Sequence, residues 1–189
     1  IPVEVGQAFR GVGTSLFNMA VHPQSGRLFV TNTEAMNHVR FEGPGDHVMT
    51  NGLKPVGEPA SVRGDLARTR ITLIDPVTGS VVPRHLNKHI PYGTVPVPAG
   101  VKERSLSTPL GLEFSADGTK VYVAGFGSSR IGVYDVAALE NDTFTVQPSD
   151  PIAVGGGGPS GLVRRGDKLY VTTRFDNALR IIDLATKAE

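Results

Sequence analysis

The sequence contains no cysteine and no tryptophan, and each absence excludes a class of function. Without cysteine the chain can form no disulfide, no thiolate metal site and no covalent attachment of a c-type haem. Aromatic residues make up only 6% of the chain. This scarcity argues against carbohydrate platforms and against proteins that stack the bases of single-stranded nucleic acid.

Strong net charge and long apolar runs are also missing. The 189 residues carry a formal net charge of +1, so no long-range field attracts nucleic acid or an acidic membrane surface. No apolar run approaches the roughly 20 residues of a membrane-spanning helix. We therefore expect no nucleic-acid partner and no membrane span. The hydrophobic content of 39% is ordinary for a globular domain with a sizeable core.

What the chain does contain is one pattern, present three times. Each copy is a short apolar strand, a turn with glycine, and a strand in which an aromatic residue precedes valine. The copies are residues 18–32, 109–125 and 159–173. A third strand that ends in aspartate follows each copy, at 70–75, 130–135 and 180–183. Val123 and Val171 are 48 residues apart, a spacing typical of four-stranded propeller blades.

The repeats predict an all-β fold: a β-propeller of four-stranded antiparallel blades, with about three blades present. We place blade 1 at about 11–100 with a long insertion at 33–68, blade 2 at about 108–154, and an incomplete blade 3 at about 158–189. Residues 80–82 and 144–146 are the expected fourth strands of blades 1 and 2. The one helical signal is a single turn at 136–140.

Three blades make a partial ring, because closed propellers have roughly four to eight blades. Residues 1–189 are therefore expected to form one partial propeller domain, a fragment of a larger ring. The uncovered blade faces would be apolar and would need a partner. We expect that partner to be the remaining propeller blades or another protein chain.

The repeat resembles that of the YVTN family of β-propellers. The resemblance rests on Met-Ala-Val-His-Pro at 19–23, Phe-Val-Thr-Asn at 29–32 and Ile-Thr-Leu-Ile-Asp at 71–75, and it recurs at 122–125 and 170–173. It implies a secreted or periplasmic bacterial protein in which the propeller is a scaffold for binding a protein or a ligand.

The segment that follows Val-Thr-Asn is similar to insertions in family members whose propeller is joined to a c-type cytochrome domain. This similarity implies an alternative function, the propeller portion of a periplasmic oxidoreductase. Because the chain has no cysteine, such a haem would lie on another domain or subunit.

Candidate binding residues lie in the loops after the second strands, because loops on a rigid scaffold usually carry binding specificity. The insertion at 33–68 is long for a loop without periodicity, and we interpret it as an ordered interface loop, the alternative being a disordered excursion. The predicted contact residues are His38, Arg40, Phe41 and His47 in the insertion, Phe126 in blade 2, and Arg174 and Phe175 in blade 3.

A metal site in the insertion is the next possibility. His38, Glu42 and His47 supply the imidazole and carboxylate groups that divalent metal ions bind. Their spacing is irregular and is interrupted by Gly-Pro-Gly at 43–45, which favours a solvated loop. We therefore predict no metal and no other cofactor in this chain.

No catalytic constellation is visible, and whether the protein is an enzyme stays open. No serine lies in a Gly-x-Ser-x-Gly elbow. The glycines at 155–158 precede a blade strand rather than a helix, so they predict an inter-blade connection and not a phosphate loop. His22 is interpreted as a turn residue, and His85 and His89 as loop residues.

Arginine begins the third strand of every repeat, at Arg70, Arg130 and Arg180. Equivalent positions favour a structural or solvated ring of charges with weak pairing. The alternative is that other basic residues line one end of the ring and meet an acidic partner or substrate. Those residues are Arg40, Lys102, Arg104 and Arg174.

Overall fold

The structure is a computed structural model, and it describes residues 6, 8–36, 65–94 and 96–189. In these residues the strands form three antiparallel sheets, and the predicted all-β propeller fold is confirmed. The assignment of all 189 residues to one partial propeller stays a prediction, since residues 37–64 lie outside the described part.

Each sheet is one blade, and its strands follow one another in chain order. Blade 1 consists of β1 (Ser15–Val21), β2 (Leu28–Ala35), β3 (Ala67–Ile74) and β4 (Val81–His85). The short helix α1 (Val101–Arg104) then leads to blade 2, which consists of β5 (Pro109–Phe114), β6 (Lys120–Gly125), β7 (Arg130–Asp135) and β8 (Ile152–Ala153), with α2 (Val136–Glu140) after β7. Blade 3 consists of β9 (Pro159–Arg165), β10 (Lys168–Thr173) and β11 (Ala178–Asp183).

Neighbouring blades pack face to face, and strand periodicity explains why. Side chains alternate between the two faces of a strand, so Val121 and Val123 of β6 point toward blade 1 while Tyr122 and Ala124 point toward blade 3. All four are buried. A sheet with two apolar faces needs a cover on each side, and blade 2 receives one from each neighbour.

Polar groups link blades 1 and 2 as well. The Thr31 hydroxyl donates to the Leu110 carbonyl oxygen at 2.7 Å. His22 is buried, with its ring 5.1 Å from the Phe114 ring and its Nε2 3.0 Å from the Gly118 carbonyl oxygen. His22 does lie next to the β1–β2 turn, but it holds two blades together instead of facing solvent.

The fourth strand of blade 2 differs from the prediction. Residues 144–146 form no strand, and β8 lies further along the chain. Phe144 packs edge to face on Tyr134, with the ring centroids 5.7 Å apart, and Val146 is buried in the core between blades 1 and 2. Their apolar character therefore serves core packing. The predicted helical turn at 136–140 is present as α2, whereas α1 was not predicted.

Replacing Phe29 should test the packing between blades. Phe29 is fully buried and its ring is 5.1 Å from that of Phe114, so Phe29→Ala should lower the free energy of unfolding by about 3–5 kcal/mol. The matched control is Phe175→Ala, because Phe175 is largely exposed; its loss should stay below about 1 kcal/mol. Urea denaturation followed by circular dichroism measures both. Equal losses would contradict the packing described.

Candidate functional site

The loops after the second strands and the connections that enter the first strands lie at one end of each blade. In blade 3 the pairing of Pro159 with Thr173 brings the start of β9 beside the end of β10. Pro109 and Gly125 pair in the same way in blade 2. We call this end the loop face; it comprises residues 8–14, 105–108, 126–129, 155–158 and 174–177.

Two of the predicted residues, Phe126 and Phe175, meet on the loop face although they belong to different blades. Their ring centroids are 5.1 Å apart and the rings are tilted by 67°, an edge-to-face arrangement. Phe175 keeps 63% of its surface exposed. The pair is therefore an apolar contact point that solvent can reach.

The glycines between blades 2 and 3 support this aromatic pair. Gly157 and Gly158 have φ values of 77° and 64°, which side chains other than glycine rarely adopt. A Cβ on Gly158 would lie 3.1 Å from the Phe175 ring and 3.2 Å from the Phe126 ring. The connection therefore needs glycine for its backbone angles and for the space that the rings occupy. This matches the predicted inter-blade connection.

Arg174, the third predicted residue, borders a cavity of about 400 Å³ beside the first strands. The cavity lies among Phe17 of β1, Gly111 of β5 and Ser160 of β9, so all three blades contribute to it. The Arg174 amide donates to the Gly158 carbonyl oxygen at 3.0 Å, which fixes the loop next to Phe175. Arg174 and Phe175 are therefore neighbours in a loop that this hydrogen bond fixes, and both side chains are exposed.

The other predicted site residues lie outside the described residues. They are His38, Arg40, Phe41, Glu42 and His47. The chain leaves blade 1 after Met36, whose amide donates to the Leu66 carbonyl oxygen at 3.0 Å where the chain returns. Met36 follows the last residue of β2, and Leu66 precedes the first residue of β3. The interface role of the insertion stays a prediction.

Two of the three repeated arginines, Arg70 and Arg130, bind the segments that lead into the first strands of blades 1 and 2. The Arg70 Nη2 donates to Glu34 at 2.9 Å and to the Val12 carbonyl oxygen at 3.4 Å. The Arg130 Nη1 donates to the Glu103 carbonyl oxygen at 2.7 Å. These contacts favour the structural interpretation of the arginines over a role in ligand binding.

A partly buried polar cluster at the outer edge of blade 1 was not predicted. Asp65, only 1% exposed, accepts a hydrogen bond of 2.8 Å from Arg68, whose guanidinium lies 5.7 Å from the centre of the Tyr92 ring. The Tyr92 hydroxyl is 3.2 Å from Nε2 of His85, and Nδ1 of His85 is 3.1 Å from the Thr69 carbonyl oxygen. The carbonyl requires a donor, so Nδ1 carries the proton and Nε2 accepts from Tyr92.

Burial changes the ionisation of this cluster. It lowers the pKa of His85 below its ordinary value of 6.5, and the nearby positive charge of Arg68 acts in the same direction. Burial, with a smaller contribution from the Asp65 carboxylate, raises the pKa of Tyr92 to about 12. Both groups are therefore neutral at pH 7, which suits the hydrogen bond between them. The cluster fixes the point at which the chain re-enters β3.

Among the described residues, no group of three or more histidine, aspartate or glutamate side chains is placed to hold a metal ion. The helices found in the same residues are too short to cross a membrane. Haem on another domain or subunit stays a prediction.

Acid should weaken the fold through His85. Its pKa in the folded protein lies below the 6.5 of the unfolded chain, so between these values the unfolded chain binds the proton more tightly. The free energy of unfolding should therefore fall as pH drops below about 6.5 and level off below the folded-state pKa. Urea titrations across this range should show a smaller fall for His85→Gln. Parallel curves for the two proteins would contradict the assignment.

The chain is similar in structure to two solved proteins that contain β-propellers. The hydrazine synthase of Kuenenia stuttgartiensis matches with a TM-score of 0.59 and 18% identity, over 91% of this chain and 46% of that one. A chain of the nidogen/laminin complex matches with a TM-score of 0.53 and 17% identity, over 96% of this chain and 48% of that one. This chain thus spans less than half the length of either matched chain. No protein-family model matches the sequence, nor does any curated protein. At these identities the likeness shows the fold alone.

Proposed function

We propose that the chain is a binding scaffold whose loop face recognises a protein partner or a ligand. The observation that carries the proposal is the grouping of Phe126, Phe175 and Arg174 at one end of two packed blades. Aromatic residues and arginine are enriched among the residues that dominate binding energy at protein interfaces.

The loop face is also rigid where these residues stand. Phe175 rests on the glycine connection, and the amide of Arg174 is bonded to the Gly158 carbonyl oxygen. Groups that are already in place lose little conformational freedom when a partner binds. An exposed ring beside a guanidinium suits a partner segment with an apolar side chain next to a carboxylate.

The insertion would enlarge this surface. The chain leaves β2 and returns to β3 at the end of blade 1 that corresponds to the loops of blades 2 and 3. In the proposal, His38, Arg40, Phe41 and His47 add contacts to the same partner.

We propose that the protein is of the YVTN type and comes from a bacterium. It would be located in the periplasm or outside the cell. Both proposals rest on the resemblance of the repeat. The ring would be completed by further blades or by another chain. One structural neighbour was solved as a complex of two proteins, which accords with a role in protein binding. The alternative, the propeller portion of a periplasmic oxidoreductase with haem elsewhere, rests on the resemblance and stays a prediction.

Selection from a phage-displayed library of random peptides tests the recognition. The immobilised protein should enrich peptides in which Asp or Glu neighbours an aromatic or aliphatic residue. Their affinity should fall by about 10-fold or more for Phe175→Ala and for Arg174→Gln, because each removes a central contact of about 1.4 kcal/mol or more.

Arg165→Gln is the matched control, since Arg165 is exposed at the opposite end of β9 from the loop face. It should leave the affinity unchanged. Enrichment of no peptide, or equal binding by all four proteins, would contradict the proposed function.

A further inference from the structure

Another cavity lies at the outer margin of the interface between blades 1 and 2. Its volume is about 390 Å³, and three separate segments contribute to its lining: residues 86–89 after β4, Arg104 at the end of α1, and residues 144–147 before β8. It shares no residue with the cavity beside Arg174. We call it the outer pocket.

The floor of the outer pocket is apolar. Leu86 and Val146 line it, and both are buried in the core between blades 1 and 2. Phe144, whose other contacts include the edge-to-face contact with Tyr134, also lines the pocket. A lining of this kind favours a ligand with a hydrocarbon or aromatic body, because removing apolar surface from water stabilises the complex.

Hydrogen bonds hold the segments around the outer pocket together. Asn87 is buried; its side chain donates to the Leu106 carbonyl oxygen at 2.7 Å and accepts from the Leu106 amide at 2.9 Å. These bonds join the segment after β4 to the segment after α1. The Lys88 ammonium donates to the Asp142 carboxylate at 2.6 Å and lies 4.2 Å from the centre of the Phe144 ring. The pocket is therefore preformed, and binding would cost little ordering.

Basic side chains gather at the outer pocket without a compensating carboxylate. Among the described residues, Lys88, His89 and Arg104 line it, and no aspartate or glutamate does. Lys88 is paired with Asp142. Arg104 forms no ion pair within the described part of the chain, and its buried Nε has no hydrogen-bond partner there. Buried polar atoms nearly always have a partner, so this guanidinium is a group that a ligand could satisfy.

His89 adds no positive charge to the outer pocket at neutral pH. Its Nε2 lies 3.0 Å from the Ser105 hydroxyl, which donates its own proton to the Val101 carbonyl oxygen at 2.6 Å. The hydroxyl therefore accepts from Nε2. Burial and the positive charge of Arg104 lower the pKa of His89 below its ordinary value of 6.5, so the ring is neutral at pH 7. The uncompensated charge at the pocket is thus the single positive charge of Arg104.

We propose that the outer pocket binds a small organic monocarboxylate with an apolar body. Arg104 pairs with the carboxylate, because the planar N–H groups of a guanidinium match its two oxygens. The apolar body lies on Leu86, Phe144 and Val146. One uncompensated positive charge matches one negative charge, which favours a carboxylate over a phosphate monoester with a charge of about −1.5 to −2.

The site is separate from the loop-face group of Phe126, Arg174 and Phe175. The proposal therefore does not depend on the partner proposed for the loop face. It also does not depend on how the ring is completed, because the segments that line the outer pocket belong to two blades that pack directly on each other.

The compound 3-phenylpropionate tests the proposal, because it joins one carboxylate to a phenyl ring. In saturation-transfer difference NMR at neutral pH, it should bind the purified chain with a dissociation constant of about 1 mM or lower. Two related compounds separate the contributions. The amide 3-phenylpropionamide keeps the ring without the charge, and propionate keeps the charge without the ring. Each should bind at least about 10-fold more weakly than 3-phenylpropionate.

Arg104→Gln tests the assignment of the charge. It should weaken the binding of 3-phenylpropionate by about 10-fold or more, since a charge-assisted hydrogen bond is lost, and it should abolish the preference for the acid over the amide. Lys102→Gln is the matched control, because Lys102 is exposed on the same helix and does not line the pocket. It removes the same net charge and should leave the affinity unchanged. Circular dichroism should show that both variants remain folded.

A second measurement locates the probe in the wild-type chain. The ring signals of His89, assigned by their loss in His89→Gln, should shift in carbon-proton correlation spectra as 3-phenylpropionate is added. Equal affinity of the wild-type chain for the acid and the amide would overturn the proposal. The same holds for equal losses in Arg104→Gln and Lys102→Gln, for His89 signals that do not move, and for no binding up to about 10 mM probe.

Discussion

The fold depends on one constraint: both faces of every blade are apolar, so each sheet must be covered twice. Blade 2 meets this condition, with Val121 and Val123 buried on one side and Tyr122 and Ala124 on the other. The interfaces are held by packing and by a few hydrogen bonds, which between blades 1 and 2 include those of Thr31 with the Leu110 carbonyl oxygen and of His22 with the Gly118 carbonyl oxygen. Among the described residues, the outer faces of blades 1 and 3 have no further blade against which to pack.

The rigidity that results from this packing is what makes the loop face useful. Phe126 and Phe175 are in contact because blades 2 and 3 pack against each other. The glycine connection between the two blades contacts both rings. Arg70 and Arg130 bind the connections that enter the first strands. A loop face supported in this way can present an aromatic and a cationic group to a partner without first becoming ordered.

The repeats made the fold predictable because alternation and turn signals report directly on strands that are buried on both faces. The strand pattern also placed Phe126, Arg174 and Phe175 in equivalent loops, although it gave no distance between them. The prediction of a strand at residues 144–146 was wrong because a short apolar segment has the same composition whether it pairs in a sheet or only packs in a core. The interpretation of His22 as a turn residue missed its burial, because that burial depends on Phe114 and Gly118, about 95 residues away in the sequence. The cluster of Asp65, Arg68, His85 and Tyr92 could not be predicted, since three separate segments form it and no repeat contains it.

The most direct test of this account is a crystal structure of the purified 189-residue chain. The account predicts that Val121 and Val123 of blade 2 are buried against blade 1, and that Tyr122 and Ala124 are buried against blade 3. A blade 2 with either of these faces open to solvent would contradict it.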